Sequence, residues 1–193
     1  MFRRLYNWTM DLSGKRHALW ALAAVSWSES FVFPIPPDVM MVPMILARRE
    51  RAWMIATVAS LASVLGGLTS WLVGYYFFES VGRDILDFYG HLDNYERIRD
   101  SYNLWGVWII LGGALTPFPY KVIAIASGVT QLDWLTFVWA SLLGRSLRFF
   151  LEAALLWRFG EHLRQFIERY LGWLVGASFV FVVGGLYLAG TLF

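Results

Sequence analysis

The chain has 193 residues, of which 58% are hydrophobic and 18% are aromatic. A soluble core of this size cannot hide that much apolar surface, so the composition indicates an integral membrane protein. The absence of cysteine excludes disulfides and thiolate metal sites, and a net charge of +2 is too small to indicate a nucleic-acid partner.

The first apolar segment, residues 18–47, is too short to cross a membrane twice, because two crossings need about 40 residues. Its middle carries the sequence SESFVFPIPPDV. Proline lacks an amide hydrogen and clashes with the preceding turn, so a helix must end there. We therefore expect a cytoplasmic segment over 1–17 and then a re-entrant hairpin, broken at Pro34, Pro36 and Pro37.

The same reasoning predicts the elements that follow. In chain order they are a spanning helix over 52–78, an amphipathic non-cytoplasmic segment over 79–104, a second re-entrant hairpin over 105–130 that is broken at Pro117 and Pro119, a spanning helix over 133–157, a cytoplasmic loop over 158–169 and a spanning helix over 171–190.

These elements predict an all-α integral membrane protein with a single domain, built from two re-entrant helical hairpins and three spanning helices. One crossing, 52–78, separates the hairpins, so they enter from opposite faces and form an inverted repeat. Inverted repeats whose broken helices meet at mid-membrane are typical of secondary transporters.

The distribution of cations predicts the orientation, because cytoplasmic loops are enriched in Lys and Arg. One predicted side holds ten Lys and Arg residues and the other holds three. We therefore expect a multi-pass protein of the inner (plasma) membrane with a cytoplasmic amino terminus.

Six charged residues fall inside predicted membrane segments, where each costs roughly 2.5 kcal/mol or more. They are Glu29, Asp38, Lys121, Arg145, Arg148 and Glu152. One explanation is internal pairing of cations with anions, which holds the broken helices together. Arg148 and Glu152 are four residues apart on one helix and are expected to form such a supporting ion pair.

The other explanation is anion binding. Arg145 and Arg148 are three residues apart and share a helix face, where two guanidinium groups repel unless an anion lies between them. Guanidinium groups match phosphate oxygens in a bidentate manner. Lys121, at the tip of the second hairpin, is expected to reach the same headgroup-binding cavity. Both explanations remain open at this stage.

Glu29 and Asp38 are the predicted proton-coupling residues. Burial favours the neutral form of a carboxyl group, whereas a neighbouring cation favours the charged form. An anion that competes for the cations would change the protonation of these acids. Proton-coupled movement of the anion is therefore a hypothesis that the sequence supports.

Three stretches together resemble the DedA family, also called the VTT or SNARE-associated Golgi family, in its short YqaA-type branch. They are S-E-S-F-V-F-P-I-P-P-D, T-P-F-P-Y-K and G-R-S-L-R-F-F-L-E. The resemblance implies movement of phospholipids or undecaprenyl phosphate, in some members dependent on the proton-motive force. It makes Glu29 and Asp38 the family's membrane acids and Arg145 and Arg148 its essential arginines. Typical members have Pro-Gly and an arginine after the second break, where this chain has Tyr120 and Lys121.

The function predicted from the sequence is flipping or scrambling of a phosphate-bearing lipid across the bilayer. Its partners are membrane lipids with phosphate headgroups and protons, and oligomerisation is left open. Two alternatives are a proton-coupled transporter of a small soluble solute and a structural assembly factor that transports nothing. We expect no enzymatic activity, no metal site and no cofactor.

Overall fold

The computed structural model describes residues 17–32, 35–90, 92–116 and 118–160. Within these ranges the chain is helical and contains no strand. The helices are α1 (Ala18–Phe31), α2 (Asp38–Ala47), α3 (Ala52–Phe77), α4 (Arg83–Phe88), α5 (Leu92–Leu115), α6 (Tyr120–Val129) and α7 (134–160). Pro34, Pro117, most of the predicted segments 1–17 and 158–169, and the predicted helix 171–190 lie outside the described residues.

Helix α3 is the longest apolar element. A 3-10 turn, Arg49–Arg51, leads into it, and a π-helical turn, Phe78–Gly82, joins it to α4. The resulting run, Arg49–Phe88, is the one described helical stretch that is long and apolar enough to span a membrane by length and composition.

Helices α1 and α2 form a hairpin at the amino-terminal end of α3. Helix α1 runs in the same direction as α3, since the Ser26 hydroxyl donates to the Ala59 carbonyl at 2.7 Å and the Ser30 and Ser63 hydroxyls are 2.8 Å apart. Helix α2 then returns to the start of α3. The tip of the hairpin therefore lies beside the middle of α3.

Prolines separate the arms as the sequence predicts. Pro37 lies at the amino-terminal boundary of α2, directly after Pro36. Pro43 lies within α2, where its missing amide hydrogen costs one backbone hydrogen bond. Pro119 has the corresponding position in front of α6.

Helices α5 and α6 form a second hairpin at the opposite end of α3. Tyr95, near the start of α5, stacks on Phe78 with 4.3 Å between the ring centroids. Helix α6 begins at Tyr120, which packs against Gly67 in the middle of α3, and it runs back toward the Trp71 backbone, where Gly128 packs. The two hairpin tips therefore approach the middle of α3 from opposite ends.

The sequence analysis places a boundary between residues 104 and 105, and the structure has none there. Helix α5 starts at Leu92 and continues unbroken to Leu115. Its charged first half is therefore part of the same helix as the apolar arm. The change from charged to apolar side chains at this point indicates a change of surroundings. It does not end the helix, because nothing there interrupts the backbone hydrogen bonds. The tight turn before α5 is made by Gly90, whose φ of 69° disfavours other residues.

Helix α7 runs antiparallel to α3 and packs along its length. The Trp71 indole donates to the Leu132 carbonyl at 3.2 Å near the start of α7, and Trp53 stacks on Phe150 in its second half. The helix continues through residue 160, past the predicted end at 157.

Asp133 provides the amino-terminal cap of α7. Its Oδ2 accepts hydrogen bonds from the Thr136 amide at 2.8 Å and from the Thr136 hydroxyl at 2.9 Å. We expect Asp133→Ala to lower the free energy of unfolding by about 1 kcal/mol, because the helix loses its cap. Thermal unfolding in detergent measures the change. Asp133→Asn, which keeps an acceptor, is the matched control, and an equal loss in both variants would contradict the capping role.

Two apolar cores lie at opposite ends of α3 and α7. One joins α1 and α2 to the first half of α3 and the second half of α7, and it includes Leu22, Met41 and Phe149. The other joins α5 and α6 to the second half of α3 and the first half of α7, and it includes Ile110 and Phe137. Polar and charged side chains occupy the level between the two cores, where the hairpin tips meet.

Candidate functional site

Helix α7 presents two opposite faces at the level of the hairpin tips. One face carries Arg145, Arg148 and Glu152 and is directed toward the hairpins. The other carries leucines at every fourth position, and all of them are exposed; they are Leu143, Leu147, Leu151 and Leu155. Charge inside and apolar side chains outside is the reverse of the arrangement in soluble proteins, and it suits a lipid environment.

Arg145 lies in an enclosed pocket. Its side chain is 1% exposed, and Nη2 donates to Glu29 Oε2 on α1 at 3.0 Å. Its Nε donates to the Ser63 hydroxyl on α3 at 2.6 Å. The guanidinium lies over the Tyr120 and Phe149 rings, with Cζ 4.9 Å and 4.7 Å from the two centroids. This residue therefore joins α1, α3, α6 and α7 at one point.

Glu29 is fixed by more than its arginine. The Ser30 hydroxyl lies 3.2 Å from Glu29 Oε2, and it also contacts the Ser63 hydroxyl that accepts from Arg145. The Ser30 carbonyl accepts a hydrogen bond from Ser70 at 2.8 Å. The Glu29–Arg145 pair is thus a satisfied ion pair in a serine network.

Arg148 has a different environment. Its Nη2 donates to Asp38 Oδ2 at 2.9 Å, and the two side chains are 31% and 29% exposed. Asp38 is the first residue of α2, so this pair joins α7 to the second arm of the first hairpin. The predicted ion pair of Arg148 with Glu152 is not the arrangement observed. The Glu152 carboxyl group instead lies close to both Asp38 and Arg148, within hydrogen-bonding reach of Asp38.

Lys121 lies at the second hairpin tip and contacts the first. Its Nζ donates to the Val32 carbonyl at 3.2 Å, and Val32 directly follows α1. The residue therefore reaches the region of the charged cluster, as the sequence analysis expects. In the structure its hydrogen bond goes to a backbone carbonyl beside the proline break of the first hairpin.

The structure thus brings all six predicted charged residues to one region at the hairpin tips. The sequence analysis missed the polar and aromatic side chains that complete the cluster, namely Ser30, Ser63, Tyr120 and Phe149. A sequence signal for the serines exists, because Ser26 and Ser30 are four residues apart and Ser60 and Ser63 three apart within apolar helices. That spacing puts each pair on one helix face.

A separate open groove of about 760 Å³ lies on the outer side of α5. Its lining includes Arg97, Trp105 and Trp108 and none of the six charged residues of the cluster. The groove and the charged cluster are therefore distinct features.

Comparison with known proteins identifies the family. A model of the VTT domain matches residues 35–158, which is more than half of the chain. The chain belongs to the VTT-domain (DedA) family. This confirms the resemblance drawn from the proline and arginine motifs, while the assignment to the YqaA-type branch stays a prediction. Members of the family are membrane proteins, in agreement with the apolar exterior of α7.

Two relatives cover nearly the whole chain. One is an uncharacterized protein of Haemophilus influenzae, 34% identical over 91% of this chain and 92% of its own length. The other is an uncharacterized protein of Histophilus somni, 35% identical over 91% of this chain and 93% of its own length. No solved structure matches the chain significantly.

Proposed function

We propose that this VTT-domain protein moves a phosphate-bearing lipid, such as a phospholipid or undecaprenyl phosphate, across the bilayer. The observation that carries the proposal is the partly exposed Arg148–Asp38 pair at the point where the two hairpin tips meet. A cation that is both within a buried charged cluster and accessible can exchange its carboxylate partner for a phosphate oxygen.

The proposal gives the two arginines different roles. Arg145 is enclosed by Glu29, Ser63 and two rings, so it holds the helices together. Arg148 is the residue that meets the headgroup. Lys121 adds a second positive charge at the same level, and its hydrogen bond to the Val32 carbonyl is one that an anion can replace.

In the membrane, the two hairpins are proposed to be re-entrant. Each hairpin begins and ends near the same end of α3, and each tip lies near the middle of that helix. The hairpins would then form an inverted repeat about the charged cluster, with the lipid tails in the bilayer and the headgroup at the tips. We place the protein in the inner membrane with its amino terminus in the cytoplasm, on the strength of the cation distribution.

The proposal is tested by lipid movement in reconstituted vesicles, with headgroup-labelled phosphatidyl and undecaprenyl phosphate lipids. We expect Arg148→Ala to slow movement about tenfold or more, since a charge-assisted hydrogen bond contributes roughly 1.5–3 kcal/mol. Arg158→Ala, an exposed arginine on the same helix, is the matched control and should leave the rate unchanged.

The same assay separates the alternatives. A rate of lipid movement that rises in a pH gradient supports a proton-coupled carrier. A rate that is the same with and without the gradient supports a scramblase. If folded wild-type protein moves neither labelled lipid, the lipid proposal is wrong, and a small-solute transporter or an assembly factor becomes the better interpretation.

A further inference from the structure

The Asp38 carboxyl group is only half satisfied by its arginine. Asp38 Oδ2 accepts the hydrogen bond from Arg148 Nη2. Asp38 Oδ1 is buried, and no described N–H or hydroxyl group donates to it. A buried carboxylate oxygen without a donor is unfavourable, because it has lost its water and gained nothing in return. A donor to Asp38 Oδ1 from within the cluster would stabilise this arrangement.

Glu152 is placed to do so. It lies one helical turn after Arg148 on α7, and its carboxyl group is within hydrogen-bonding reach of Asp38. Two ionised carboxylates can only accept hydrogen bonds, so they repel each other at this distance. Two carboxyl groups in contact can share a proton, because ionising both of them is costly. A protonated Glu152 would donate to Asp38 and satisfy its free oxygen.

Charge balance favours the same arrangement locally. With every group ionised, the six charges of the whole cluster balance, because Lys121 joins Arg145 and Arg148 against three acids. Asp38 and Glu152, however, face one cation between them, Arg148, whereas Arg145 pairs with Glu29 and Lys121 bonds to the Val32 carbonyl. One shared proton leaves the group of Asp38, Glu152 and Arg148 without net charge, which lowers the cost of burying it.

We propose that Asp38 and Glu152 share one proton, with Glu152 as the donor to Asp38 Oδ1. The charged groups that face the pair are Arg148 on α7 and, less directly, Arg145. The Arg148 and Asp38 side chains are 31% and 29% exposed, and the Arg145 and Glu29 side chains are 1% and 20% exposed.

A consequence for transport rests on the proposed function. When a phosphate oxygen takes the hydrogen bond from Arg148, Asp38 loses its cation and takes up a second proton from water. The phosphate brings one negative charge and the proton one positive charge, so the group of Asp38, Glu152 and Arg148 stays neutral. The lipid anion and a proton would therefore bind together.

The test is infrared spectroscopy of wild-type protein in lipid at neutral pH, in H₂O and in D₂O. We expect a carboxylic-acid carbonyl band that shifts in D₂O. Protein labelled with carboxyl-¹³C glutamate should show that band displaced, because the proton is on a glutamate. This measurement needs no substitution, so it stands even where a variant fails to fold. In folded variants, Glu152→Gln should remove the band and Glu29→Gln should keep it.

Absence of the band in wild-type protein, or a band that the glutamate label leaves in place, would overturn the proposal. So would a band that Glu29→Gln removes and Glu152→Gln keeps. The lipid-movement assay on the same preparation is read separately. A glutamate band without lipid movement supports the shared proton and refutes the transport function. Lipid movement without the band supports the transport function and refutes the shared proton.

Discussion

Arg145→Ala is expected to lower the free energy of unfolding by about 3–5 kcal/mol, which is the usual cost of removing one partner of a buried ion pair. Arg145 is 1% exposed, and it bonds to Glu29 on α1 and Ser63 on α3 while it contacts Tyr120 on α6. Alanine would leave the Glu29 carboxylate without its cation and four helices without their common contact. Thermal unfolding in detergent or lipid nanodiscs measures the loss.

Two controls make this prediction specific. Arg158→Ala removes an exposed arginine from the same helix and should leave the unfolding temperature nearly unchanged. The double variant Arg145→Ala with Glu29→Gln should recover part of the loss, because the uncompensated charge is then absent. An unfolding temperature for Arg145→Ala equal to that of wild type would show that the pair does not hold the helices together.

Gly128→Ala is expected to have a similarly large effect, for a steric reason. A Cβ atom at Gly128 would overlap the Trp71 carbonyl oxygen and come within 2.8 Å of the Tyr75 amide nitrogen. Both atoms belong to the backbone of α3, so neither can move aside without moving the helix. We expect a loss of about 3 kcal/mol, at the upper end of the usual cost of overpacking. The unfolding temperature again measures it.

Gly112→Ala is the matched control. Gly112 is an exposed glycine of α5, and a Cβ atom there meets nothing within 4 Å. Alanine should be neutral or should stabilise the helix by about 0.5–1 kcal/mol, because glycine loses more conformational freedom on folding. If both variants lose the same stability, close packing of α6 on α3 does not explain the result.

The sequence predicted the helix breaks and the members of the charged cluster well. Proline has a backbone effect that is independent of its surroundings, so Pro37 and Pro119 mark the starts of α2 and α6 in the structure. Charges in apolar segments are costly wherever the helices lie, so Glu29 and Arg145 stood out without any knowledge of the fold.

The pairing within the cluster could not be predicted in the same way. Glu29 and Arg145 are 116 residues apart, and Asp38 and Arg148 are 110 apart, so their pairing depends on how α1 and α2 pack against α7. Residues four apart in one helix are neighbours on its surface, and this spacing had favoured a pair of Arg148 with Glu152 instead. Tertiary packing directed Arg148 to Asp38, and it left Glu152 beside a second carboxyl group.

The hydrogen bond from Lys121 to the Val32 carbonyl has a mechanical consequence. It joins the tip of one hairpin to the tip of the other. A displacement of either tip therefore moves the other tip as well or breaks the hydrogen bond. Any opening of the cluster at one hairpin would either move the other hairpin with it or break this hydrogen bond.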